Sequence, residues 1–232
     1  MASKLLLGLW ISAVIVMGLT FPIVPHPQNW YEFPLIPGLE QKARIMFFHV
    51  PMAWTTVVAF MVSMGYGIRY LAKKKMEDDA KSTASAGLGL LFCILATVTG
   101  AIWAKFNWGA FWNWDPRQTS IFALLLIYGA YFALRSALDA DETRATLSAA
   151  YSVIAGITVP FFIFIMPRIL PGLHPGSQGS GDSGPLMGGT LNPMMRVVFY
   201  SSLAGFTVLY LWMFNLKNRL TKLETTYHFG KE

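Results

Sequence analysis

Six long apolar stretches divide the chain, and each is long enough to cross a bilayer as an α-helix. A membrane-spanning helix needs about 20 mostly apolar residues. The apolar stretches cover, approximately, residues 5–21, 44–70, 82–104, 116–138, 145–166 and 193–216. The pattern predicts an all-α polytopic membrane protein with six transmembrane helices in a single domain, 1–232. A cleaved signal peptide is the alternative for the first stretch, but no small-residue cleavage site follows its long apolar core, which favours a retained helix.

The composition supports a membrane protein. Hydrophobic residues make up 54% of the 232 residues and charged residues only 13%, with a mean hydropathy of +0.47. Soluble domains carry about 25% charged residues. The one cysteine, Cys93, lies inside an apolar stretch. A single cysteine excludes an internal disulfide, a thiolate zinc cluster and a Cys-x-x-Cys-His site for covalent haem.

The distribution of basic residues predicts the orientation. Six helices place both termini on one side, and cytoplasmic termini leave only six of the 18 basic residues outside: Lys42, Arg44, Lys105, Arg117, Arg168 and Arg196. This bias agrees with the positive-inside rule. We therefore expect a multi-pass membrane protein with loops 22–43, 105–119 and 167–192 on the outer face. The first of these is proline-rich and predicted to be ordered, whereas residues 176–189 are glycine-rich and predicted to be flexible.

The loop before the fourth apolar stretch concentrates aromatic side chains next to one acid and one base. Its candidate binding residues are Trp108, Trp112, Trp114, Asp115 and Arg117. A flat aromatic surface with two fixed charges suits a large, planar, partly anionic ligand such as haem. Two structural interpretations remain open. The tryptophans could form an interfacial aromatic belt, and Asp115-Pro116 followed by Gln118 is typical of a helix N-cap with a capping box.

Two histidines are predicted near the same outer face as the aromatic loop. His49 lies about one turn into the second apolar stretch, where an ionisable side chain indicates function, although a hydrogen bond to a neighbouring helix explains it equally well. His174 follows the fifth stretch. Two imidazoles on opposite sides of one iron give a six-coordinate haem. We predict His49 and His174 as the axial iron ligands, and interpret His26 and His228 as solvated surface residues.

Three arginines occupy unfavourable positions at predicted helix N-termini. Arg44, Arg117 and Arg196 lie in the first turns of the second, fourth and sixth helices, all on the predicted outer side. A cation has the wrong sign for a helix N-terminus, which is itself an anion site. Arginine suits bidentate binding of carboxylates. We therefore expect the three arginines to bind an anion together, such as the haem propionates, with anionic lipid head groups as the alternative.

The aromatic loop resembles a family motif. In the pattern W-G-x-W-W-x-W-D-x-R-x-T, this chain matches at Trp108, Gly109, Trp112, Trp114, Asp115, Arg117 and Thr119. With His49, His174 and six spans, the whole chain resembles the haem-handling WWD-domain family, in particular the cytochrome c maturation protein C (haem exporter protein C) group. Phe111 replaces a tryptophan of the family doublet and Gln118 replaces a common leucine. The sequence of residues 112–116 is also similar to that of the larger haem-lyase relatives.

The resemblance implies a non-enzymatic function in c-type cytochrome biogenesis. It implies that non-covalent, transient haem b is held at the periplasmic face of the bacterial inner membrane, where the three outer loops lie, with His49 and His174 as axial ligands and the aromatic loop as the haem platform. The implied partners are a periplasmic haem chaperone, a small single-span subunit and the subunits of an ABC transporter, besides membrane lipid; no nucleic acid is expected.

Three other functions stay open. The first is a haem-lyase-type protein of another cytochrome c assembly system. The second is a haem b redox enzyme, which usually stacks haems through the bilayer; here only one histidine lies inside a predicted span. The third is a transporter of haem across the bilayer, which would need a polar path at mid-depth, whereas the middles of these spans contain almost no charged residue.

Overall fold

The structure is a bundle of long helices joined by loops, and it confirms the all-α membrane fold. The computed structural model describes residues 2–174, 177–178 and 191–229, with no side chain described at residue 2 or at 224–229. The long helices are α1 (Ala2–Thr20), α2 (His49–Lys73), α3 (Met76–Trp108), α4 (Pro116–Ser136), α5 (Asp141–Pro160) and α7 (Pro193–Phe229). Six helical segments of the described chain are long and apolar enough to cross a membrane.

Most of the helices extend beyond the predicted apolar stretches because polar end turns continue the same backbone, whereas α4 ends two residues before the predicted 138. A 3₁₀ helix, Glu40–Phe47, leads into α2. The fifth segment runs from α5 through a π-helical turn, Phe161–Ile165, into the short α6, Met166–Ile169. We call the end formed by the loops after α1, α3 and α6 the loop end, and the opposite end the terminal end. Most of the predicted flexible loop, 176–189, falls outside the described residues.

Helix α2 is the centre of the bundle, and it contacts α3, α5 and α7. Small residues allow the close approach. A Cβ on Gly67 would lie 2.2 Å from the Ser152 Oγ of α5, and one on Gly89 of α3 would lie 2.5 Å from the Phe60 ring. The Phe60 ring in turn stacks on Tyr128 of α4, with ring centroids 3.3 Å apart. Aromatic and small side chains therefore fill the interior between α2, α3, α4 and α5.

The proline-rich loop after α1 is ordered, as predicted. Its strands β1 (Ile23–Val24) and β2 (Phe33–Pro34) pair in parallel. Phe33 is fully buried against Phe47 of the 3₁₀ helix, with ring centroids 5.2 Å apart. Arg44 of the same helix donates to the carbonyls of Gly18 and Phe21, at 2.9 Å each. A cation is favourable at the carboxyl end of a helix such as α1, because the last carbonyls there lack intrahelical partners.

A buried ion pair joins α3 to α4 at the terminal end. Arg135 binds both carboxylate oxygens of Asp79, at 2.7 and 2.9 Å, and the two side chains are only 15% and 7% exposed. Removing one partner of such a pair leaves an uncompensated buried charge, which costs more than the pair itself contributes.

We expect Asp79→Ala to lower the stability of the purified protein by about 3 kcal/mol, the magnitude typical of breaking a buried pair. The matched control is Asp141→Ala, which removes the exposed partner of Arg144 at the same end and should cost less than about 1 kcal/mol. Thermal unfolding in detergent, followed by intrinsic fluorescence, measures both. Equal unfolding temperatures for the two variants would contradict a stabilising role of the Asp79–Arg135 pair.

Candidate functional site

A cavity of ≈ 340 Å³ opens at the loop end, between α2, α3, α4 and the end of the fifth helical segment. Its volume lies within the range of about 300–1,000 Å³ that is usual for small-molecule sites. Its walls are mostly apolar, and its ionisable lining residues are His49, Arg117, Arg168 and His174. Both predicted histidines therefore meet at one cavity, although 125 residues of sequence separate them.

The orientation of His49 leaves one ring nitrogen available. Its Nδ1 lies 3.0 Å from the Thr99 hydroxyl of α3. That hydroxyl donates its own proton to the carbonyl of Leu95, at 2.8 Å. Thr99 must then accept from His49, so Nδ1 carries the proton and Nε2 keeps a free lone pair. The ring fits because residue 100 is glycine: a Cβ there would lie 2.8 Å from His49 Cε1.

The His174 ring is protonated on the same nitrogen as the His49 ring, but its hydrogen-bond partner is a carboxylate and not a hydroxyl. Its Nδ1 lies 2.7 Å from Asp115 Oδ1, so the carboxylate accepts the Nδ1 proton and Nε2 is again the free acceptor. The imidazole also packs against two indoles, with its ring centroid 5.7 Å from that of Trp103 and 4.6 Å from that of Trp108. A carboxylate on the distal nitrogen of a metal-binding histidine fixes its tautomer and raises its basicity.

The buried carboxylate of Asp115 links two loops through hydrogen bonds. It caps α4 as predicted, since Oδ1 accepts from the backbone N–H of Arg117 at 2.9 Å and Pro116 is the first helical residue. Its Oδ2 accepts from the backbone N–H of Leu173 at 2.6 Å. Glycine at 172 permits this approach, because a Cβ there would lie 2.8 Å from Oδ2. One carboxylate therefore holds both the start of α4 and the segment that carries His174.

The protonation states of this pair suit a metal ligand. Burial, the largest influence, would raise the pKa of Asp115, but the hydrogen bond and charge of His174 and the two backbone N–H groups together lower that pKa to about 2. Burial also lowers the pKa of His174, against the opposing effect of Asp115. At neutral pH we therefore assign an ionised carboxylate and a neutral imidazole, the form that binds metal.

The aromatic loop divides into residues with different environments. Trp112 lines the cavity, whereas Trp108 packs on His174. Trp114 is 69% exposed and has a φ of 55°, a left-handed backbone conformation that is rare for bulky residues. The predicted platform of three tryptophans is thus not one surface: the backbone turn that places Asp115 over α4 directs Trp114 away from the cavity.

The predicted capping box is wrong in one part. The side chain of Gln118 is buried, and its Oε1 accepts from the backbone N–H of Asn113 at 2.8 Å, while its Nε2 donates to the carbonyl of Phe111 at 3.2 Å. Gln118 therefore forms its hydrogen bonds with the aromatic loop and not with the N-cap residue, as a capping box would require. The left-handed turn at Trp114 makes the loop double back over the first turn of α4, which puts residues 111–113 within reach.

The three predicted arginines do not meet. Only Arg117 lines the cavity. Arg44 binds the end of α1, and the Arg196 Nε donates to the carbonyl of Leu191 at 2.8 Å. The anion-site hypothesis is thereby corrected for Arg44 and Arg196, because backbone carbonyls at the end of α1 and just before α7 bind these guanidinium groups instead.

Sequence reasoning missed two residues of the site. Arg168 lines the cavity together with Arg117, and the two charges lie close enough to influence each other. The sequence could have indicated Arg168 because it is one of the six basic residues predicted outside and directly follows Pro167 at the end of the fifth segment. Trp103 lines the cavity, packs on His174 and donates from Nε1 to the carbonyl of Lys42 at 3.0 Å. It could have been found as the first tryptophan of α3, four residues after Thr99.

Comparison with known proteins gives a consistent result. The family model described as "Heme exporter protein C" matches residues 3–229. The chain is 31% identical over 205 residues to heme exporter protein C of Escherichia coli, covering 86% of this chain and 77% of that protein. It is 28% identical to the protein of the same name from Paracoccus denitrificans, covering 76% and 71%, and 25% identical to that of Rhodobacter capsulatus, covering 90% and 84%. The chain belongs to the heme exporter protein C family.

Proposed function

We propose that this protein binds haem b non-covalently at the loop end and delivers it for the biogenesis of c-type cytochromes, without catalysing a reaction itself. One observation carries the proposal: His49 and His174 line the same cavity, each ring engages Nδ1 in a hydrogen bond, and no hydrogen-bond partner of either Nε2 lies among the described residues. The names of the relatives support haem as the ligand. The family model favours this function over that of the haem-lyase relatives.

The remaining lining residues suit the other parts of a haem. The apolar walls and the Trp112 indole match the porphyrin faces, and Arg117 and Arg168 match the two propionate carboxylates. The protein's only thiol, at Cys93, is buried away from this lining, so no thioether bond to haem is expected. Bound here, haem would supply an iron centre to the two imidazoles, and the protein would supply position, tautomer and a dry environment.

Delivery requires a partner that takes the haem from the loop end. We place this end at the periplasmic face of the bacterial inner membrane, with both termini in the cytoplasm, in agreement with the distribution of basic residues. The receiving partner is then a periplasmic haem chaperone, and an ABC transporter and a small single-span subunit complete the assembly. Exposed apolar side chains at this end, Phe111, Trp114 and Leu173, support a contact surface beside the cavity.

We expect His49→Ala and His174→Ala each to abolish the low-spin absorbance spectrum of two axial imidazoles in protein reconstituted with haem. Loss of a residue that only hydrogen-bonds to a metal ligand weakens binding about 10–100-fold. Loss of either histidine removes a ligand itself and should therefore weaken haem binding more. His26→Ala is the matched control, because His26 is an exposed histidine of another loop at the same end. An unchanged spectrum in both His49 and His174 variants would contradict the assignment.

Asp115→Asn tests the carboxylate as a positioning residue for His174. The variant keeps one oxygen for the α4 cap but loses the negative charge on the imidazole, so His174 becomes a weaker donor to ferric iron. We expect about 10–100-fold weaker haem binding and a more positive midpoint potential of the bound haem. Asn113→Asp, which changes charge in the same loop, is the control. A potential equal to that of the wild type would restrict Asp115 to helix capping.

The stability of the haem-free protein should fall as pH decreases below about 6.5. The unfolded chain takes up a proton on His174 near that pH, whereas the folded chain, in which burial lowers the pKa of His174, does not. Folding is therefore favoured above the unfolded pKa, and this contribution is lost as pH falls towards the folded value. The unfolding temperature in detergent should drop less between pH 7.5 and pH 5.5 in His174→Gln than in the wild type. If the unfolding temperatures of the wild type and of His174→Gln fall by the same amount over this pH range, the lowered pKa of His174 is contradicted.

A further inference from the structure

A second cavity lies at the terminal end, far from the histidines. It occupies ≈ 560 Å³ over α3, between α4 and α7. Both of these helices pack against α3, but they make few or no contacts with each other. The gap between them therefore leaves the groove open along the side of the bundle.

The rim of this groove is positively charged. Lys217 of α7 is exposed, and among the described residues no carboxylate lies within ion-pair distance of it. Arg135 of α4 also lines the groove and is held in place by Asp79. The carboxylate of Asp79 neutralises one charge, so Lys217 leaves the rim with a net positive charge. Basic side chains at this level of a transmembrane bundle are suited to lipid phosphates.

The deeper part of the groove is apolar and narrow. Ala84, Gly87 and Leu88 of α3 form its floor, and Phe132 of α4 forms one wall. These floor residues lie one to three turns from Asp79 along α3, in the direction of the bilayer centre. At Gly87 an added Cβ would lie 3.6 Å from Phe132 Cζ, its one close contact with another helix among the described residues, so open space remains above the helix. The groove thus has a charged rim and a hydrocarbon-lined floor.

We propose that this groove binds an anionic phospholipid of the phosphatidylglycerol class. The phosphate contacts Lys217 and Arg135, and one acyl chain lies along Ala84, Gly87 and Leu88. A basic rim above a hydrocarbon-lined floor complements an anionic head group joined to an acyl chain, which a transmembrane helix does not offer. The bound lipid would join α4 to α7, which otherwise scarcely touch.

Native mass spectrometry of the purified full-length protein, titrated in detergent with phosphatidylglycerol or phosphatidylcholine, tests the proposal. We expect preferential retention of phosphatidylglycerol, reduced about fivefold in Lys217→Gln. The matched control is Arg219→Gln, an exposed basic residue of the same helix that does not line the groove. Gly87→Leu, which fills the floor, should reduce retention of the lipid even with both basic residues intact.

Several outcomes would overturn the proposal. Equal losses in the Lys217 and Arg219 variants would indicate non-specific attraction to a basic surface. Full competition by inorganic phosphate, with no effect of Gly87→Leu, would indicate a site for free phosphate. Retention of a polypeptide instead of lipid would assign the groove to a protein subunit. The haem spectrum of Lys217→Gln should equal that of the wild type, so failure here is distinguishable from failure of the proposed haem function.

Discussion

The site depends on one buried carboxylate that joins two distant segments of the chain. Asp115 accepts hydrogen bonds from the first turn of α4, from the backbone of Leu173 and from the His174 ring. Satisfying these donors with a single ionised group offsets the cost of burying its charge. The same interaction sets the helix start, the path of the following loop and the tautomer of one histidine. Local folding at the start of α4 and the chemistry of the cavity are therefore inseparable here.

The two histidines have unequal partners on their second ring nitrogen. His174 donates to a carboxylate, whereas His49 donates to the neutral hydroxyl of Thr99. A carboxylate partner makes an imidazole the stronger metal ligand. In the proposed haem complex, the bond from His49 would be the weaker of the two. A protein that must give up its ligand benefits from such an asymmetry, because one bond can break while the other still holds the haem.

Much of the fold was predictable because long apolar stretches and helix-capping residues are local signals. The six helices and the N-cap at Asp115 follow from such patterns. The meeting of His49 with His174 was predicted from topology together with the family motif. The environments of Arg44, Arg168 and Gln118 were not, because they depend on which backbone carbonyls and N–H groups the loops bring near. Those are contacts between distant segments, and residue spacing carries no direct record of them.

The π-helical turn at Phe161–Ile165 sets the rotation of everything that follows it in the fifth segment. Such a turn accommodates an extra residue relative to a regular α-helix, and each residue advances the helix by about 100°. Phe162 and Phe164 of this turn line the cavity, and Arg168 follows them one turn later. If the same five residues formed a regular α-helix instead, they would turn the chain further around the helix axis and rotate the Arg168 side chain away from its present position at the cavity.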